Sequence, residues 1–83
     1  MNNNLTFAQF ERVLTELGFR KKTVPKTGIA YVHSPTDTIV LVRKHKPNEA
    51  VPWHVIAAAR VQLDGRGVIE ADDFDRLLHA VAA

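Results

Sequence analysis

The spacing of apolar residues changes at Gly18, and this change constrains the fold more than any other feature of the chain. Upstream, Phe7, Phe10, Leu14 and Leu17 recur at intervals of three and four, which places one buried stripe on a helix and leaves Glu11, Arg12 and Glu16 wet. Thr6 with Gln9 forms a capping box, and Leu5 with Phe10 stands where a hydrophobic staple would, so the helix is expected to begin there. Gly18 is expected to end it in a Schellman-type stop, with Phe19 folded back against Leu14.

From Phe19 to Lys46 the pattern is that of strands. Phe19 to Val24, Ile29 to His33 and Thr38 to Lys44 are short β-rich runs, separated by Pro25-Lys26-Thr27-Gly28 and Ser34-Pro35-Thr36-Asp37. They predict a three-stranded meander. In the third run Ile39, Val40, Leu41 and Val42 are apolar without a break, which predicts burial on both faces and therefore a cover for the second one. The C-terminal helix, a second copy of the chain and another protein all qualify.

Helical spacing returns after Pro52, which suits a first turn. Val55, Ile56, Ala59 and Leu63 are expected to face inward until Asp64-Gly65 stops this helix. A third helix follows, with Ile69 and Phe74 as a staple, Asp72 and Asp73 complementing the dipole, and a stripe of Phe74, Leu77, Leu78 and Val81. The expected fold class is α+β in the order α-β-β-β-α-α: a three-stranded antiparallel sheet, helices on one face, and an extra C-terminal helix. With 83 residues the chain has room for one core. It is read as a single domain over 1–83: a polar N-terminus at 1–5, the α-β-β-β-α unit at 5–64, and a turn with the C-terminal helix at 65–83.

The chain has no cysteine, which removes disulfides and thiolate metal sites. Met1 to Leu5 is polar and no apolar run approaches the roughly 18 residues of a membrane span, so a soluble, cytoplasmic chain without a secretory signal or membrane partner is expected.

Charge is unevenly distributed. Arg20, Lys21, Lys22, Lys26, Arg43, Lys44 and Lys46 lie in the strand segment with a single acid, Asp37, a net charge of +6 in a chain whose total is +2. Such a bias favours polyanions or an acidic partner, and these seven residues are the candidate binding set. Lysines also deter strand edges from pairing with other chains, a role that needs no ligand. Residues 62–83 carry a net −3, so the last helix could dock on the basic strands of the same or a neighbouring molecule.

A helix ending in Leu17-Gly18-Phe19, Gly28 opening the second strand, a valine-rich third strand and a following helix together resemble the HicA family of small messenger-RNA interferase toxins, over roughly residues 5 to 64. The resemblance implies a double-stranded-RNA-binding-domain-like fold, action on RNA through a histidine in a Gly-Ser-His motif at the second strand, and neutralisation by a HicB-like antitoxin. Gly28 fits the glycine of that motif, but Ala30 stands where the family has its catalytic histidine. A methyl group transfers no proton, so no catalytic residue is carried over. His33, three residues along the strand, falls on the opposite side from position 30.

The remaining motifs are weaker. Tyr31 and Trp53 are candidate stacking surfaces for unpaired bases, although a single tryptophan after a helix-starting proline more often covers the core. Gln62 to Asp73 has a partial likeness to a calcium loop, with Gln62 and Arg66 at positions that need oxygen ligands. His33, His45, His54 and His79 lack metal-site spacing, and Asp72, Asp73 and Asp75 are accounted for by the helix dipole. No metal or cofactor is expected. The leading expectation is a non-catalytic HicA-like module holding RNA or an acidic protein on basic strands. The alternatives are an RNA-cleaving toxin of a toxin-antitoxin pair, using His33 or His45 as base, and a structural homodimer held by the third strand.

Overall fold

Helix α1 spans Phe7–Glu16, and its ends are built as its sequence indicates. Thr6 Oγ1 accepts the Gln9 N–H while Gln9 Oε1 accepts the Thr6 N–H, and Leu5 and Phe10 are both buried. At the other end Gly18 has φ +97°; its N–H donates to the Thr15 carbonyl and the Phe19 N–H to the Leu14 carbonyl, completing the Schellman pair. The computed structural model describes residues 5–26, 28–43 and 45–82.

Three strands follow, β1 (Arg20–Val24), β2 (Gly28–His33) and β3 (Thr38–Val42), in an antiparallel sheet of order β1-β2-β3. Lys22 pairs with Ala30 and Ala30 with Leu41; Lys21 pairs with Tyr31 and Tyr31 with Val40. Because paired residues share a face, Lys21, Thr23, Ile29, Tyr31, His33, Thr38, Val40 and Val42 form the inner side, and Arg20, Lys22, Ala30, Val32, Ile39 and Leu41 the outer. A short 3-10 turn at Ser34–Thr36 joins β2 to β3, and Asp37 closes it in the left-handed region at φ +53°.

Of the covers expected for the second face of β3, the C-terminal helix is not the one: within the chain that face stays exposed. Thr38, Val40 and Val42 are buried, whereas Ile39 is 52% and Leu41 60% exposed. Among the described residues that side has no second layer, since α1 and α2 meet the sheet on its inner face and α3 packs on those two helices. A run of four apolar residues does not distinguish a covered strand from a half-wet one.

Helix α2 covers Trp53–Gly65 and α3 covers Ala71–Ala82. The helix ends at Gly65, at the expected Asp64-Gly65 stop, but Gly65 is itself helical and it is Gly67, at φ +75°, that takes the left-handed position while Val68 donates to the Leu63 carbonyl. Asp64 instead lends Oδ2 to the Ala71 N–H at the start of α3. Trp53 does not cover the core; it is 76% exposed on the first turn of α2, and Val55 and Ile56 approach the interior in its place.

The core joins Phe7, Phe10, Val13 and Leu14 of α1 to Tyr31, Val40 and Val42 of the sheet and to Ala59, Leu63, Phe74 and Leu78 of α2 and α3. Polar links reinforce it. Gln9 Nε2 donates to the Val81 carbonyl in the last turn of α3, and the Arg60 guanidinium meets both Asp75 oxygens at 3.0 and 3.2 Å. The loop between β3 and α2 folds over the start of α1, where the Glu49 and Pro47 carbonyls accept the Phe7 and Ala8 N–H groups that a helix leaves without partners.

Candidate sheet-face interface

Alternation along β1 divides the candidate cations. Arg20 and Lys22 project from the outer face, two residues apart and both exposed. Lys21 lies on the inner side, where its Nζ meets Glu11 Oε2 of α1 at 3.3 Å. Tyr31, only 1% exposed, directs its hydroxyl toward the same oxygen at 3.5 Å. Burial, with the Glu11 charge added, pushes the Tyr31 phenol up to about 12. Glu11 is therefore a half-buried joint between α1 and the sheet, not the wet residue expected. Tyr31, sealed in the core, offers no ring face to a base.

The other candidates are dispersed. Lys26 sits exposed in the β1–β2 hairpin turn at φ +72°, and Arg43 follows β3 directly at the same end of the sheet, opposite the end where Arg20 lies. Lys46 is exposed in the loop over α1, its backbone N–H donating to Glu49 Oε1. Lys44 lies outside the described residues. The structure thus joins Arg20 and Lys22 on one face, sets Lys26 and Arg43 at its edge, and separates Lys21 and Lys46 from them.

Between the outer cations and β3 the surface is apolar. Ala30 is 7% exposed yet outside the core cluster, because its cross-strand neighbours Lys22 and Leu41 flank it. Val32 lies between Arg20 and Ile39 in the same way. Among the described residues neither Arg20 nor Lys22 has an acidic side chain within ion-pair distance. The result is a strip of Val32, Ile39 and Leu41 bordered by two unneutralised positive charges. Period two would have shown the split between Lys21 and its neighbours; the exposure of Ile39 and Leu41 has no local signal.

The histidines named as alternative bases are engaged elsewhere. His33 Nδ1 lies 2.7 Å from Thr36 Oγ1, itself 2.7 Å from Thr38 Oγ1, and the ring tilts against Phe19. His45 stacks on Phe7 with centroids 3.7 Å apart, and both its nitrogens are buried without a hydrogen-bond partner. Among the described residues no three His, Asp or Glu side chains gather as metal ligands, and no helix is long and apolar enough to cross a membrane.

Fold and surface together define a small α+β sheet module, helices on one side and a mixed cationic and apolar face on the other. No family model, curated protein or solved structure matches the chain.

Proposed function

We propose that this chain is a non-catalytic binding module that holds an acidic partner protein on its outer sheet face. The observation that carries this reading is the placement of Arg20 and Lys22 beside the exposed strip of Val32, Ile39 and Leu41. A partner that presents carboxylates next to apolar side chains satisfies both parts: the charges steer encounter and set register, and burial of Ile39 and Leu41 supplies the non-directional term at roughly 25 cal/mol per Å². RNA would use the cations alone, since this face carries no aromatic ring on which a base could stack. Ala30, at the centre of the face, supports a non-catalytic role, and a HicB-like antitoxin is a partner of the required kind.

The test is a ¹⁵N-correlation titration with an acidic amphipathic 20-residue peptide and, in parallel, a single-stranded 12-nucleotide RNA. The peptide is expected to move the amides of Arg20, Lys22, Ile39 and Leu41, and Leu41→Ser is expected to weaken it about tenfold. RNA binding that ignores Leu41→Ser and falls with roughly one power of salt per phosphate would replace the protein partner with a nucleic acid. Absence of binding by either would overturn the reading.

A further inference from the structure

The two edges of the sheet are not equivalent. On β3 the Ile39 carbonyl points away from β2 and accepts Gln62 Nε2 of α2 at 2.6 Å, so one acceptor of this edge is engaged by the chain itself. That one bond also sets the hydrogen-bonding parity of the whole sheet. If Ile39 faces outward, then Ile29, Tyr31 and His33 direct their ladder groups toward β3, and Gly28, Ala30 and Val32 direct theirs toward β1. Their partners Val24, Lys22 and Arg20 complete that ladder. Lys21 and Thr23 are left with N–H and C=O groups aimed at the free side of β1, where four of the five residues are exposed.

We infer that the open edge of β1 accepts an extended acidic segment of a partner protein as a fourth, antiparallel strand. This rests on the reading of the chain as a module for acidic partners and specifies how such a partner is held. Main-chain bonds to Lys21 and Thr23 supply the pairing, and residues of the added strand on the outer face stand beside Arg20 and Lys22, where carboxylates are favoured. The same charges act against self-association, because two β1 edges brought together would oppose cation to cation. The edge therefore rejects copies of itself while remaining suited to a strand of opposite sign.

Parity makes a specific demand on the ligand. Residues directly opposite Lys21 and Thr23 share their inner face, so the ligand residues that bond to β1 are those between its carboxylates. The probe is the capped hexapeptide Glu-Thr-Glu-Val-Glu-Thr, with its lysine-for-glutamate counterpart as control. Binding is expected to shift the Lys21 and Thr23 amides and slow their hydrogen exchange at least tenfold, and the lysine peptide is expected not to bind. N-methylation of the Thr and Val residues should abolish binding, whereas N-methylation of the Glu residues should change it less than threefold. Thr23→Pro, which removes a donor from the free edge without touching the ladder to β2, should weaken binding at least tenfold; its circular dichroism reports whether the fold is kept, and the methylated peptides decide the matter on the unaltered protein if it is not.

Binding equally sensitive or insensitive to the two methylation patterns, but lost on charge reversal of Arg20 and Lys22, would overturn strand addition and leave the acidic-partner reading standing. Failure of every acidic peptide, the amphipathic 20-residue probe included, would overturn both.

Discussion

The Gln62 side-chain amide donates to the Ile39 carbonyl at 2.6 Å, and this bond ties the β3 edge to α2 at one point. Gln62→Ala should lower stability by about 0.5 to 1 kcal/mol, because water can replace the lost donor at an exposed carbonyl. In a chain of this size that is a fall of several degrees in Tm by calorimetry. An unchanged Tm would mean that the bond adds nothing to the fold.

The two faces of β3 should respond oppositely to truncation. Val40→Ala removes buried volume beside Tyr31 and is expected to cost about 2 kcal/mol, while Leu41→Ala on the outer face should stay within about 0.5 kcal/mol of the parent in urea unfolding. A large loss at Leu41 would show that its side is covered in solution.

Glycines 65 and 67 offer a direct check on where α2 ends. Gly65 is helical with open space at its Cβ position, so Gly65→Ala should stabilise by about 0.5 to 1 kcal/mol. Gly67 also has open space but holds φ +75°, so Gly67→Ala should destabilise by about 1 kcal/mol through conformation alone. Thermal unfolding of the pair should move in opposite directions.

The Tyr31 phenol carries a pH signature. Its pKa rises from 10.0 unfolded to about 12 folded, so between these values the unfolded chain gives up a proton that the native state retains, and stability falls as pH increases. The contribution is fully present below pH 10 and lost on approaching pH 12, with an upper limit of about 2.7 kcal/mol. Urea unfolding at pH 8 and 11 should show this added loss for the parent relative to Tyr31→Phe.

His45 buries two ring nitrogens without partners while its ring stacks on Phe7. An apolar ring of similar shape keeps the stack and removes the desolvation cost, so His45→Phe should raise stability by about 1 kcal/mol in urea unfolding. A loss of that size would mean that the nitrogens are satisfied.

Where cause and effect lie within a turn of helix or one strand, the sequence could be read directly. Thr6 caps the residue three ahead, and Gly18 turns the chain so that the Phe19 N–H meets the Leu14 carbonyl; each is a contact over a few residues, decided by side-chain type and backbone freedom. The element order followed, and the candidate face was legible in part, since alternation alone sends Arg20 and Lys22 to one side and Lys21 to the other.

What depended on residues distant in the chain was settled only in three dimensions. Glu11 became a joint because Tyr31, twenty positions later, brings its hydroxyl to the same carboxylate as Lys21. Ile39 and Leu41 are left exposed because α1 and α2 meet the sheet on its inner face and α3 packs on those two helices, and Trp53 stays out while Val55 and Ile56 pack against the core. Local propensity sets which way a side chain points along its own element. Whether anything stands opposite it is decided by how the elements share one small core.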